Sequence, residues 1–92
     1  MLMFRMWIKE FKDNRMLKDI TIYDDSEDTR THKIFNALNK ACVKFDLGNP
    51  IWLEQNIKDF KRTGKCRFTP DSFVETIDFD YLEIHIIEED EA

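Results

Sequence analysis

Hydrophobic and polar residues alternate from the first positions of the chain. Leu2, Phe4, Met6 and Ile8 share one parity while Arg5 and Lys9 fall on the other, the period of a half-buried strand. Trp7 and Met3 sit on the polar parity, so that face is expected to be partly covered too. Lys12-Asp13-Asn14-Arg15 reads as a turn, because Asp and Asn tolerate left-handed backbone and bond locally. A second strand follows near 16–23, with Ile20 and Ile22 on one face and Thr21 and Tyr23 on the other. Together these predict an N-terminal β-hairpin.

The period then changes. Asp24-Asp25-Ser26-Glu27-Asp28 breaks the strand and supplies capping groups and negative charge for a helix N-terminus. Ile34, Leu38, Ala41, Cys42 and Phe45 recur on one helical face, while Lys33, Asn36, Lys40 and Lys44 fall largely elsewhere. The main amphipathic helix is expected over about 28–46, with Gly48 as its cap and Pro50 beyond it. Asn49-Pro50 can start a second, shorter helix carrying Leu53, Ile57 and Phe60 as far as Gly64. A short extended segment at Ile51-Trp52-Leu53 could come first. A brief strand is expected over 65–68, then a turn and a single helical turn around Phe73 and Val74. The C-terminal strand is expected over about 77–87. Leu82, Ile84 and Ile86 form one face of it, extended by Asp78 and Asp80. Phe79, Tyr81, Glu83, His85 and Ile87 form the other.

This order describes one α+β domain over 1–92, with an antiparallel or mixed sheet, helices mainly on one face and an acidic tail at 88–92. Eight Phe and two Trp supply core material for 92 residues, and only two Gly and two Pro occur. No run of about 18 apolar residues occurs, so no membrane span is expected. The apolar start lacks a basic region and a cleavage site, which points to a cytoplasmic protein. Two distant cysteines, Cys42 and Cys66, fit free buried thiols better than a disulfide framework.

Several stretches carry a resemblance: Arg5-Met6-Trp7-Ile8-Lys9, Ser26-Glu27-Asp28-Thr29-Arg30-Thr31-His32-Lys33, Pro50-Ile51-Trp52-Leu53, Asp71-Ser72-Phe73 and Ile77-Asp78-Phe79-Asp80-Tyr81-Leu82-Glu83-Ile84. With them the chain resembles a group of uncharacterised proteins of about this length from gut-dwelling Firmicutes, often near mobile elements. The resemblance covers nearly the whole chain and brings no assigned activity. It implies a bacterial, intracellular origin and no catalytic residues.

Candidate chemistry is sparse. His32, His85, Cys42 and Cys66 show no metal-ligand spacing, and the acidic loop at 24–28 lacks the Gly and Glu of a calcium-binding loop. With only Gly48 and Gly64 there is no phosphate-cradling loop, so neither metal nor cofactor is expected. Cys42 falls on the apolar helix face. Cys66 lies between Lys65 and Arg67, which favour thiolate, and would need His32 or His85 as a base. A small apolar filler on a strand is the simpler role for Cys66.

Charge is the informative signal. Residues 58–70 hold Lys58, Lys61, Arg62, Lys65 and Arg67 against Asp59 alone, whereas 71–92 hold nine carboxylates and no Lys or Arg. Either the two segments neutralise each other inside the fold, or the acidic end is a surface of its own. On the second view Asp78, Asp80, Glu83, Glu88, Glu89, Asp90 and Glu91 would meet a basic protein surface. That makes the chain a non-enzymatic interaction module, an inhibitor or adaptor of the kind phage anti-CRISPR proteins exemplify. The alternative is nucleic-acid contact through Lys58, Lys61, Arg62, Lys65 and Arg67, opposed by the net charge of −5. A homodimer through an edge-lying N-terminal strand is a further expectation. Trp7 and Trp52 are interface anchors if exposed.

Overall fold

The computed structural model describes residues 3–89. Its elements are β1 (Phe4–Lys12), β2 (Arg15–Asp24), α1 (Arg30–Lys44), α2 (Glu54–Thr63), β3 (Lys65–Phe68) and β4 (Tyr81–Glu88), with a 3-10 turn at Pro70–Ser72. The strands form one antiparallel sheet in the order β2-β1-β4-β3, with the helices on one of its faces. The α+β expectation holds, and the sheet is antiparallel throughout. No helix among the described residues is long and apolar enough to cross a membrane.

Alternation in the strands decides what the helices cover. Phe4, Met6 and Ile8 of β1, Cys66 and Phe68 of β3, and Leu82 and Ile84 of β4 turn inward. They meet Ile34, Ala37, Leu38, Ala41 and Cys42 of α1 and Phe60 of α2 in one cluster. Burying each large side chain there stabilises the fold by about 1.5–3 kcal/mol. Trp52, between the helices, meets Phe60 and Phe68 edge-on at 5.5 and 4.9 Å.

The hairpin turn is as the sequence predicts. Asp13 and Asn14 take φ of 52° and 64°, the positive values that a two-residue type I′ turn requires. The segment before β4 clasps this tip. Asp13 N–H donates to Asp80 Oδ2 at 2.9 Å, and Asp80 N–H donates to Phe11 O at 2.8 Å.

Several boundaries move. The helical turn expected around Phe73 and Val74 falls at Pro70–Ser72 instead, with Phe73 extended after it. The last strand begins at Tyr81 rather than near 77, because Phe79 turns into the core against Phe73 and breaks the alternation. The cap of α1 is not Gly48. Leu47 N–H donates to Cys42 O at 2.8 Å and Asp46 N–H to Val43 O at 3.2 Å, a Schellman closure with Asp46 at φ 58°. Pro50 is buried but starts no helix, since α2 begins after Leu53, whose N–H is taken by Asn56 Oδ1 at 2.9 Å. Lys33, expected off the apolar face, is fully buried in α1, on the side of Asp24.

β1 is a central strand, so pairing with a second copy through its edge is closed. The sheet edges belong to β2 and β3, and part of the β3 edge is taken by Asn56 Nδ2, which donates to Arg67 O at 2.8 Å. Leu2 lies outside the described residues.

Asp46 combines a left-handed backbone with a carboxylate at the negative end of a helix dipole. Asp46→Gly is expected to stabilise the domain by about 1 kcal/mol, raising Tm by about 4–8 °C in a thermal melt.

Candidate functional site

Among the described residues nothing is laid on the sheet face turned away from the helices. Register places Arg5, Trp7, Lys9 and Phe11 of β1 there. Their neighbours are Tyr23, Thr21 and Asp19 of β2, and His85, Glu83 and Tyr81 of β4. Lys65 and Arg67 of β3 complete the rows. A solvated sheet face usually carries Thr, Lys and Glu. This one carries four aromatic rings on three strands.

Its polar groups are organised around Glu83. Lys9 Nζ lies 2.8 Å from Glu83 Oε1 and Arg67 Nε lies 3.0 Å from Oε2. The Lys9 and Glu83 side chains are buried. Burial pushes the Glu83 carboxyl up, but hydrogen bonds and charge from Lys9 and Arg67 outweigh it, holding the group below its ordinary value. Each cation also covers a ring. Lys9 Nζ stands 3.8 Å from the Trp7 centroid, and the Arg67 guanidinium 4.6 Å from that of Tyr81. Tyr81 stacks on Phe11 at 5.1 Å, and Trp7 Nε1–H donates to Asp19 Oδ2 at 2.8 Å. Burial, then the charges of Lys9 and Lys65, lower the pKa of His85, so its imidazole is neutral at neutral pH. At one end of the face Arg5 Nε donates to Glu88 Oε1 at 2.7 Å, and Tyr23 is 62 % exposed.

The acidic residues singled out in the sequence do not form a single patch. Glu83 is the buried centre just described, Glu88 is paired with Arg5, and Glu89 is paired with Arg30 of α1. Asp80 holds the hairpin tip, Asp78 is exposed, and Asp90 and Glu91 lie outside the described residues. The basic stretch is divided as well. Lys58, Lys61 and Arg62 lie along α2, with Lys58 near Glu54 at 3.5 Å and Arg62 near Asp59 at 3.7 Å. Lys65 and Arg67 belong to the sheet face. Neutralisation across 58–89 is therefore partial and centres on Arg67 with Glu83.

Cys66 points the other way from its basic neighbours, into the core. Burial above all pushes its thiol up to about 12, and that of Cys42 to about 11. A cleft of about 610 Å³ runs along β3 beside α2, with Cys66 and Ser72 in its wall. No histidine lines it; Asp59, Asp71 and Glu83 do, and the negative charges of Asp59 and Glu83 add to burial in holding the thiol protonated. Among the described residues no three His, Cys, Asp or Glu side chains gather to hold a metal ion. Comparison with known proteins returns no match to a family model, a curated protein or a solved structure.

On the helix side of the sheet one carboxylate is buried among apolar residues. Glu10 follows Ile8 on the core parity and is 4 % exposed. Its Oε2 has no hydrogen-bond partner among the described residues, with Lys18 Nζ just out of range at 3.6 Å. Burial raises its pKa, against the opposing pull of Lys18. Periodicity alone could have marked Glu10 as a charge on an apolar parity.

These two carboxylates predict opposite pH behaviour. Glu10→Gln is expected to stabilise the protein by about 1 kcal/mol at neutral pH. That gain disappears below the ordinary Glu range, where the wild-type group is protonated both folded and unfolded. Glu83→Gln strands Lys9 and should cost about 3 kcal/mol. This loss shrinks as pH falls through the lowered Glu83 pKa. Urea unfolding across the acid range measures both.

The buried thiols give a further test. Neither Cys42 nor Cys66 should react with a thiol reagent near pH 8 at the rate of a free cysteine until denaturant is added. Rapid native-state labelling of Cys66 would restore cysteine chemistry as a reading.

Proposed function

We propose that this protein is a non-catalytic protein-interaction module, an adaptor or inhibitor that docks through the open face of its sheet. One observation carries the reading. The uncovered face bears Trp7, Phe11, Tyr23 and Tyr81 with Arg5 and Arg67, the residue types enriched at the centres of protein interfaces. Their positions are held by cation–π contacts and ion pairs, so little ordering would be required on binding. A partner of matching chemistry presents apolar groups to the rings and a carboxylate to Lys65 at the rim. The contact is placed here rather than on the acidic residues because Asp80, Glu83, Glu88 and Glu89 have partners within the fold. Two unpaired, buried cysteines suit a reducing, cytoplasmic setting.

A nucleic-acid strand is the competing occupant, since bases stack on aromatics of an antiparallel sheet. Asp19, Glu83 and Glu88 on the same face, and the net charge of −5, oppose phosphate.

The test is affinity capture from bacterial lysate followed by binding of the purified partner. Tyr23→Ala and Arg5→Ala should each weaken binding at least about tenfold, while Val74→Ala, on a loop, should not change it. Equal binding by all three variants would sink the proposal. Saturable, salt-sensitive binding of a single-stranded oligonucleotide that Tyr23→Ala abolishes would replace it with the nucleic-acid reading.

A further inference from the structure

The helical layer carries a second surface, on the opposite side of the molecule from the open sheet face. Between α1 and α2 lies a groove of about 270 Å³, walled by Phe35, Trp52, Ile57 and Phe60. Phe35 is 49 % exposed and Ile57 41 %, and Trp52 meets Phe35 edge-on at 6.0 Å. Scattered exposed apolar residues need no explanation, but a contiguous cluster on a chain this charged does.

Charge indicates what covers it. Arg30 and Lys61 line the groove, and among the described residues no carboxylate does, although acidic residues outnumber basic ones in the chain. Glu89 already sits on Arg30, so a carboxylate can dock at this rim. The volume lies below the roughly 300–1,000 Å³ of small-molecule sites, which favours a few anchoring side chains. Both walls are helices whose backbone groups bond within themselves. An extended strand would find no main-chain partner along them, whereas a helix brings its own hydrogen bonds satisfied.

We infer that this groove receives an acidic amphipathic helix of a protein partner, with apolar side chains at i, i+3 or i+4 seated on Trp52 and a carboxylate against Lys61, beside the Arg30–Glu89 pair. The inference is independent of the open sheet face. Together the two surfaces would let one small domain bridge two proteins.

The probe is a fluorescein-labelled helical peptide of about four turns, with Leu at i, i+3, i+4 and i+7 and Glu at most other positions. Its twin carries Lys in place of Glu. Fluorescence anisotropy with the full chain should show saturable binding of the acidic peptide. The basic twin should bind at least about tenfold more weakly. Phe35→Ala, Ile57→Ser and Lys61→Glu should each weaken the acidic peptide, while Tyr23→Ala and Arg5→Ala leave it unchanged. Lys61→Glu removes no apolar contact, so it keeps the test decisive if Phe35→Ala disturbs folding. Absence of saturable binding, equal binding of the basic twin, or loss on Tyr23→Ala in place of Lys61→Glu would each overturn the inference.

Discussion

Among the described residues, two helices of fifteen and ten residues are the longest elements laid against a four-stranded sheet. At 1.5 Å per residue they span about 22 and 15 Å, and strands about 4.8 Å apart make a sheet they can cover on one side only. Everything else follows from that limit. The inward parity of β1, β3 and β4 becomes apolar core, and the outward parity must be made tolerable to water with the residues left. In β1 and β4 those residues are large rings and charges, which cover one another in place of a third layer.

Glu83 is where this arrangement is tightest. A carboxylate in the middle of a sheet face is costly to desolvate, and it is retained because two cations, Lys9 and Arg67, approach it from the neighbouring strands. The same cations lie over Trp7 and Tyr81, so the ion pairs also orient the rings. The face is thereby nearly neutral, and its rings are held by the cations beside them. Glu10, one residue beyond Lys9 on the opposite side of β1, shows the contrast. It is equally buried, but its one cation stops at 3.6 Å.

The helical layer meets the same limit from the other direction. Its inner side closes the core through Ile34, Leu38, Ala41 and Phe60. Trp52 spans the gap between helices that are too few to enclose it, which leaves Phe35 and Ile57 half exposed beside it. A domain with one sheet and one helical layer thus has two unfinished surfaces, and both are aromatic.

Local patterns were enough for much of this. The period of two in β1 and the left-handed preference of Asp13-Asn14 specify the hairpin, and the helical spacing from Ile34 to Phe45 specifies α1. Signals of this kind act between residues close in the chain, so they survive without knowledge of the fold. Strand order, and with it the pairing of Lys9 with Glu83 across 74 positions of sequence, depended on which strands became neighbours. Phe79 ended the last strand, and Asp46 rather than Gly48 closed α1, because tertiary packing and chain direction outweighed residue preference there. The charge asymmetry between 58–70 and 71–92 was plain in the sequence. Only the folded sheet determined that Arg67 and Glu83 meet while Lys61 is left beside an apolar groove, because Coulomb energy depends on distance in space and not along the chain.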